Sequence, residues 1–194
     1  MCKVKLLNFE RFRQKAHKLV FPLEKRDILD SLKAGDFVLI SGWFLCGRDA
    51  THRKLVSAIK EGSFSFDFTN QAIYYVGPTP APPGKVIGSS GPTTSGRMDA
   101  YMEFFLALGI SATIGKGKRS LEVKKLLKEH KAVYLATFGG AGAFLNQFVK
   151  KVETIAFSEL GPEAFFRIKV EDFPAVVINS IYGDDLYEKT LKHE

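Results

Sequence analysis

Five residues in this 194-residue chain have the types and the spacing to bind and work on a small anion. Arg97 closes the stretch "SSGPTTSGR", where Thr93 and Thr94 lie between two glycines; Arg48 follows Gly47 in "CGRDATHRK"; Lys116 lies between Gly115 and Gly117 in "IGKGKR". A helix start carries partial positive charge, so an arginine placed there opposes the dipole by a few tenths to ~1 kcal/mol. Arg48 and Arg97 both fall at expected helix starts. The cost disappears if each shares an anion with neighbouring backbone N–H groups, the usual way a helix start holds phosphate or carboxylate. Two arginines and a lysine on neighbouring loops suit a small dianion better than a single carboxylate. The plainer alternative is that these are solvent-facing charges or ion-pair partners of Asp49 and Asp99.

Other chemistries find less support. Residues 91–98 follow the P-loop spacing G-x-x-x-x-G-K-S/T, with Arg97 for the lysine and Met98 for the hydroxyl residue. Met98 cannot place a hydroxyl on Mg2+, so nucleotide hydrolysis is a minor reading. Gly139, Gly140 and Gly142 lack the order of a dinucleotide fingerprint and read as sites of close packing. His52 follows Arg48 by one helical turn and could touch the same ligand, although a lone first-turn histidine is more often exposed. His17, His130 and His193 have no zinc-ligand spacing around them. Cys46 reads as a small core residue. Threonine is a weak base, able to take a proton only when positioned against its substrate and relieved of its own.

The elements that must position these residues recur from about residue 37. A short apolar run ends in a glycine-containing turn and opens into a helical period. Residues 37–46 lead into a helix over 49–60, "KVIGSSGPTTSG" into one over 97–108, "ISATIGKGKR" with Ser120 as N-cap into one over 121–130, and "AVYLATFGGAG" into one over 143–149. Alternation of this kind predicts a layered α/β domain with at least some parallel strands, whose ligand loops gather at the carboxyl ends of the strands. "YYVGPTPAPPGK" reads as an extended connection. Beyond residue 155 the alternation around Pro174 predicts short β elements covering the sheet, and residues 1–17 a basic N-terminal extension.

Composition narrows the class. Apolar and charged fractions of 45% and 25% are those of an ordinary globular domain. No apolar run reaches the roughly 18 residues needed to span a bilayer, and the charged N-terminus does not read as a secretory signal. The expectation is a cytoplasmic protein without a membrane role. A net charge of +7 favours acidic partners. The basic residues are not interleaved with exposed aromatics, which argues against nucleic acid. Two cysteines, Cys2 and Cys46, are too few for a disulfide framework or for an iron–sulfur cluster held by this chain alone.

Taken together and in order, "CGRDATHRK", "YYVGPTPAPPGKVIGSSGPTTSGRMD", "IGKGKRS" and "LGPEAFFRIKVEDFPAVVINS" resemble the C-terminal, or beta, part of class I fumarate hydratases, iron–sulfur hydro-lyases related to L-tartrate dehydratase. The resemblance runs from about His17 to Tyr187. It implies a swivelling β/β/α domain over residues 18–194 that works in a hetero-oligomer with an alpha subunit. That subunit would hold a [4Fe–4S] cluster whose open iron acts as Lewis acid in the reversible hydration of fumarate to L-malate. Position by position, Thr93 matches the threonine that takes the proton from the substrate carbon, aided by an acidic residue of the alpha subunit. Thr94 matches a substrate hydrogen-bonding residue. Arg48, Arg97 and Lys116 match the cations that hold the dicarboxylate. Ser95 and Lys118 depart from the fumarase pattern, where alanine and asparagine are common, and Ser95 agrees with tartrate dehydratases. Residues 47–50 and Gly96 lie on the fumarase side. An anion-binding or assembly module built from the same loops is the non-enzymatic alternative.

Overall fold

The computed structural model describes residues 14–191, so most of the expected N-terminal extension, residues 1–13, lies outside the described residues, as do Cys2 and His193. The chain enters through β1 (His17–Phe21) and β2 (Phe37–Cys46), followed by α1 (Asp49–Lys60) and β3 (Ala72–Tyr74). After a long excursion a 3-10 turn over Ser95–Tyr101 runs into α2 (Met102–Ala107). Then come β4 (Ala112–Gly115), α3 (Leu121–Glu129), β5 (Val133–Ala136), α4 (Gly142–Leu145), β6 (Val149–Ala156), β7 (Phe165–Asn179) and α5 (Leu186–Leu191).

The parallel ladder expected from the alternation is present: β1, β2, β3, β4 and β5 pair in that order, all parallel. β7 runs antiparallel to β5 on one side and to β2 on the other, so β2, β3, β4, β5 and β7 close into a barrel, with β1 and β6 attached outside that ring. Closure sorts the side chains by strand period. Phe44, Cys46, Tyr74, Ile114, Leu135, Ile168 and Phe173 belong to one buried cluster, while the intervening Leu45, Ile73, Tyr75 and Tyr134 join Leu55, Met102, Phe105, Val123 and Leu127 of the helices in a second. The first cluster fills the barrel, and the second glues α1, α2 and α3 to its outside. Phe44 and Phe173, on the neighbouring strands β2 and β7, meet edge to face at 5.4 Å.

Local chemistry explains the helices. In α1 the buried positions Thr51, His52, Leu55 and Ala58 share one face. α3 is capped as its sequence predicts, with Ser120 Oγ accepting the Val123 N–H at 3.2 Å, and it buries Val123 and Leu127 one turn apart.

Three expectations need correction. Residues 85–87 form no strand: the strand of the second unit is β3, three residues that precede the proline-rich excursion rather than follow it. The fourth helix is a single turn, α4, extended by a 3-10 turn over Asn146–Phe148, and β6 begins at Val149, where helix was expected to end. The C-terminal β segments do not cover the sheet. β7 is fifteen residues long and closes it. Pro174 does not interrupt this strand, because on the flank facing β5 and β6 the partners change over between Val170 and Val176, leaving no ladder for its missing N–H.

Candidate functional site

Because β2 to β5 are parallel, the turns after their carboxyl ends share one rim of the barrel. The excursion after β3 returns alongside its own exit, Val76 pairing with Pro92. Residues 92–95 then insert between the extensions of β3 and β4. The Thr93 N–H donates to the Tyr75 carbonyl at 2.7 Å, the Lys116 N–H to the Thr93 carbonyl at 3.3 Å, and the Ser95 N–H to the Lys116 carbonyl at 2.8 Å. Thr94 and Lys116 are thus neighbours on adjacent backbones. Gly115 permits this approach, since a Cβ there would lie 2.1 Å from Ser95 Oγ.

Thr93 is 9% exposed, and its hydroxyl has no hydrogen-bond partner among the described residues. Thr94 is exposed and makes no capping bond. The Lys116 ammonium is exposed and has no carboxylate partner among the described residues. The two arginines do have partners. Arg97 forks onto Asp49, Nε to Oδ1 at 3.0 Å and Nη2 to Oδ2 at 2.5 Å, which ties the threonine loop to the start of α1. Arg48 Nη2 lies 3.0 Å from Glu163 Oε1, and its Nε is buried without a hydrogen-bond partner. Arg48 is the N-cap residue of α1 and Arg97 is the third residue of a 3-10 turn, so neither stands within the first turn of an α-helix as expected. Protein carboxylates supply part of the negative charge that their positions call for.

His52 does not face this site. It is 2% exposed, its Nδ1 lies 2.9 Å from the Arg48 carbonyl, and its ring sits among Tyr75, Tyr101 and Phe105. Burial pushes its pKa down to about 4. It is a neutral core histidine, neither exposed nor in reach of a rim ligand.

Sequence reasoning missed a buried cation behind the rim. The Arg119 side chain is fully buried, with Nε 2.8 Å from Asp99 Oδ1 in an ion pair too poorly angled for a hydrogen bond. Its guanidinium lies 5.4 and 5.3 Å from the Tyr75 and Tyr134 ring centroids. Asp99 Oδ2 also accepts the Ser120 N–H at 2.7 Å, and Tyr134 Oη accepts from Ser95 Oγ while donating to the Gly117 carbonyl. These contacts pin the Ser95–Tyr101 turn to the loop bearing Lys116. The signal lay in "KRS": a cation directly before an N-cap serine needs a carboxylate close by.

The arrangement offers one buried-edge hydroxyl, one exposed hydroxyl and three cations of which only Lys116 is unpaired among the described residues. It can hold a small dianion and hold a hydroxyl against it. It does not fit a metal or cluster of its own: among the described residues no group of three or more His, Cys, Asp and Glu could hold a metal ion. Cys46 is buried in the barrel, which pushes its thiol pKa up and disfavours the thiolate that a cluster requires. Among the described residues no helix is long and apolar enough to cross a membrane.

Known proteins resemble this chain over most of its length. Fumarate hydratase 2 of Leishmania major is 40% identical over 174 residues, covering 88% of this chain and 31% of that protein. Fumarate hydratase class I, anaerobic, of Escherichia coli is 37% identical over 158 residues, 80% of this chain and 29% of that protein. The chain therefore spans about a third of the length of these relatives. A putative L(+)-tartrate dehydratase subunit beta of Methanocaldococcus jannaschii is 37% identical over 177 residues, 88% of this chain and 90% of that protein. The Fumarase C-terminus family model matches residues 7–190, nearly the whole chain, and with these relatives it establishes that the chain belongs to the Fumarase C-terminus family.

Proposed function

We propose that this chain is the beta subunit of a class I fumarate hydratase, a swivelling β/β/α domain over residues 18–194 that completes its site against an alpha subunit in the cytoplasm. The observation that carries the reading is the splice of residues 92–95 between β3 and β4, which sets Thr93, Thr94 and Lys116 side by side and ties Arg97 to the start of α1 beside Arg48. In this reading Arg48, Arg97 and Lys116 bind the two carboxylates, and Thr94 hydrogen-bonds the substrate. Thr93 takes the proton from the substrate carbon in dehydration and returns it in hydration. A cation beside the carboxylate next to the reacting carbon also stabilises the extra negative charge that gathers there as the proton leaves. No carboxylate or imidazole hydrogen-bonds Thr93 among the described residues, so the group that relieves it of its own proton is assigned to the alpha subunit. The [4Fe–4S] cluster that the resemblance implies is assigned there too.

The test is anaerobic: combine the chain with a candidate alpha subunit, reconstitute iron and sulfide, and assay L-malate and L-tartrate dehydration, with each chain alone as control. Malate turnover only in the combination is the expected result. Tartrate dehydration is the second reading, favoured by the Methanocaldococcus jannaschii relative, whose length this chain nearly matches, and by Ser95. A reconstituted complex with an intact cluster and no turnover of either acid would instead leave an anion-binding or assembly module.

A further inference from the structure

Arg48 stands at the N-cap of α1, where the helix needs an acceptor and an arginine has none to give. The acceptor comes from 113 residues away: Glu163 Oε2 accepts the Ala50 N–H at 2.7 Å. The Glu163 backbone carbonyl accepts from Thr51 Oγ1 at 2.6 Å, and Thr51 Oγ1 in turn accepts the Arg48 N–H at 3.2 Å. The remaining carboxylate oxygen, Oε1, lies 3.0 Å from Arg48 Nη2. One residue thus caps the helix and grips the guanidinium. Gly77 makes room for the same side chain, since a Cβ there would lie 2.7 Å from Arg48 Nε, 2.8 Å from Cζ and 3.2 Å from Nη2. The Arg48 guanidinium thus meets a carboxylate at Nη2 and lies against a glycine that leaves room for it.

Glu163 comes from the "LGPEA" turn between β6 and β7, which approaches α1 because Gly161 adopts a φ of 57° that favours glycine. The C-terminal β segment therefore does two things: β7 closes the barrel, and the turn before it sets one of the rim cations. Resting on the reading above, in which Arg48 binds a substrate carboxylate, we infer that Glu163 is the positioning residue for Arg48. It touches no substrate. It holds the guanidinium in one orientation and at the same time neutralises part of its charge.

A positioning role has a kinetic signature that a merely structural one lacks. Glu163→Ala in the assembled enzyme should raise KM about tenfold, the scale of one lost charge-assisted hydrogen bond, with kcat within about twofold, because binding lost equally in ground and transition states appears in KM. In an Arg48→Ala background the same substitution should leave KM unchanged, because the residue it positions is gone. A KM increase of full size in that background overturns the assignment. If Glu163→Ala fails to fold, Glu163→Gln, with nearly the same volume and no charge, goes through the same cycle. The inference also has a readout without any partner. In the isolated full-length chain, the Arg48 Nε–H resonance should be sharp in the wild type and broadened or lost in the variant. An unchanged resonance sinks the inference even if malate turnover is found. Absence of turnover with a changed resonance sinks the hydratase reading and leaves the Glu163–Arg48 contact standing.

Discussion

Thr93 has a hydroxyl with no hydrogen-bond partner among the described residues and a backbone bonded on both sides, a rigid mount for the proton exchange proposed for it. Its replacement by alanine should lower kcat by about 10²–10³ in the assembled enzyme, with assembly intact by gel filtration. Serine in its place should recover much of the loss; an alanine variant at wild-type rate removes Thr93 from the chemistry. His52 makes a different prediction. Its folded pKa of about 4 is below the ordinary 6.5, so the unfolded chain binds the proton more readily. The stability contributed by the neutral imidazole is fully present above pH 6.5 and declines as pH falls toward 4. Urea midpoints at pH 7.5 and 5 should therefore fall further apart in the wild type than in His52→Phe, and equal differences refute the assignment. That the loops bearing Arg48, Thr93 and Lys116 follow the ends of parallel strands was legible from the sequence, because strand, glycine turn and cation are local signals. The partners of those cations were not. Glu163 lies 115 residues from Arg48, and nothing local to either residue reveals the contact.

At the scale of elements, glycines decide how closely the rim loops approach. Gly77→Ala should displace the Arg48 guanidinium and raise KM without large effect on kcat, since the nearest obstruction is the far end of a side chain that can move. Saturation curves on the assembled enzyme check it, and an unchanged KM excludes Arg48 from binding. Ser120→Ala removes the cap of α3 and should cost about 1 kcal/mol of stability by denaturant unfolding. The elements read correctly, β2 with α1, β4 with α3 and the start of β5, are those in which strand, turn and helix are contiguous. β3 escaped because three residues are too short for a periodicity, and the excursion after it separates strand from helix. β7 escaped for another reason. Proline ordinarily ends a strand, and only knowledge of which flank lacks a neighbour shows why Pro174 does not.

At the scale of the whole molecule, the rim faces outward with one cation unpaired among the described residues, no proton acceptor on its threonine and no metal ligands. The isolated chain should show no detectable dehydration of malate or tartrate, measured alongside the reconstituted complex. Appreciable turnover by the metal-free chain would refute the subunit reading. The closed barrel carries one more consequence. Its five strands form a ring without a free edge between the loops that bear Arg48, Thr93 and Lys116, so these loops keep their spacing whether or not a diacid is present. The entropy of arranging them is surrendered once, at folding, and not again at each encounter. Once the partner is docked, diacid capture should be a single kinetic phase whose observed rate rises linearly with concentration. A plateau would reveal a slow rearrangement before capture, and the docking of the partner, not the ring, would be where to look for it.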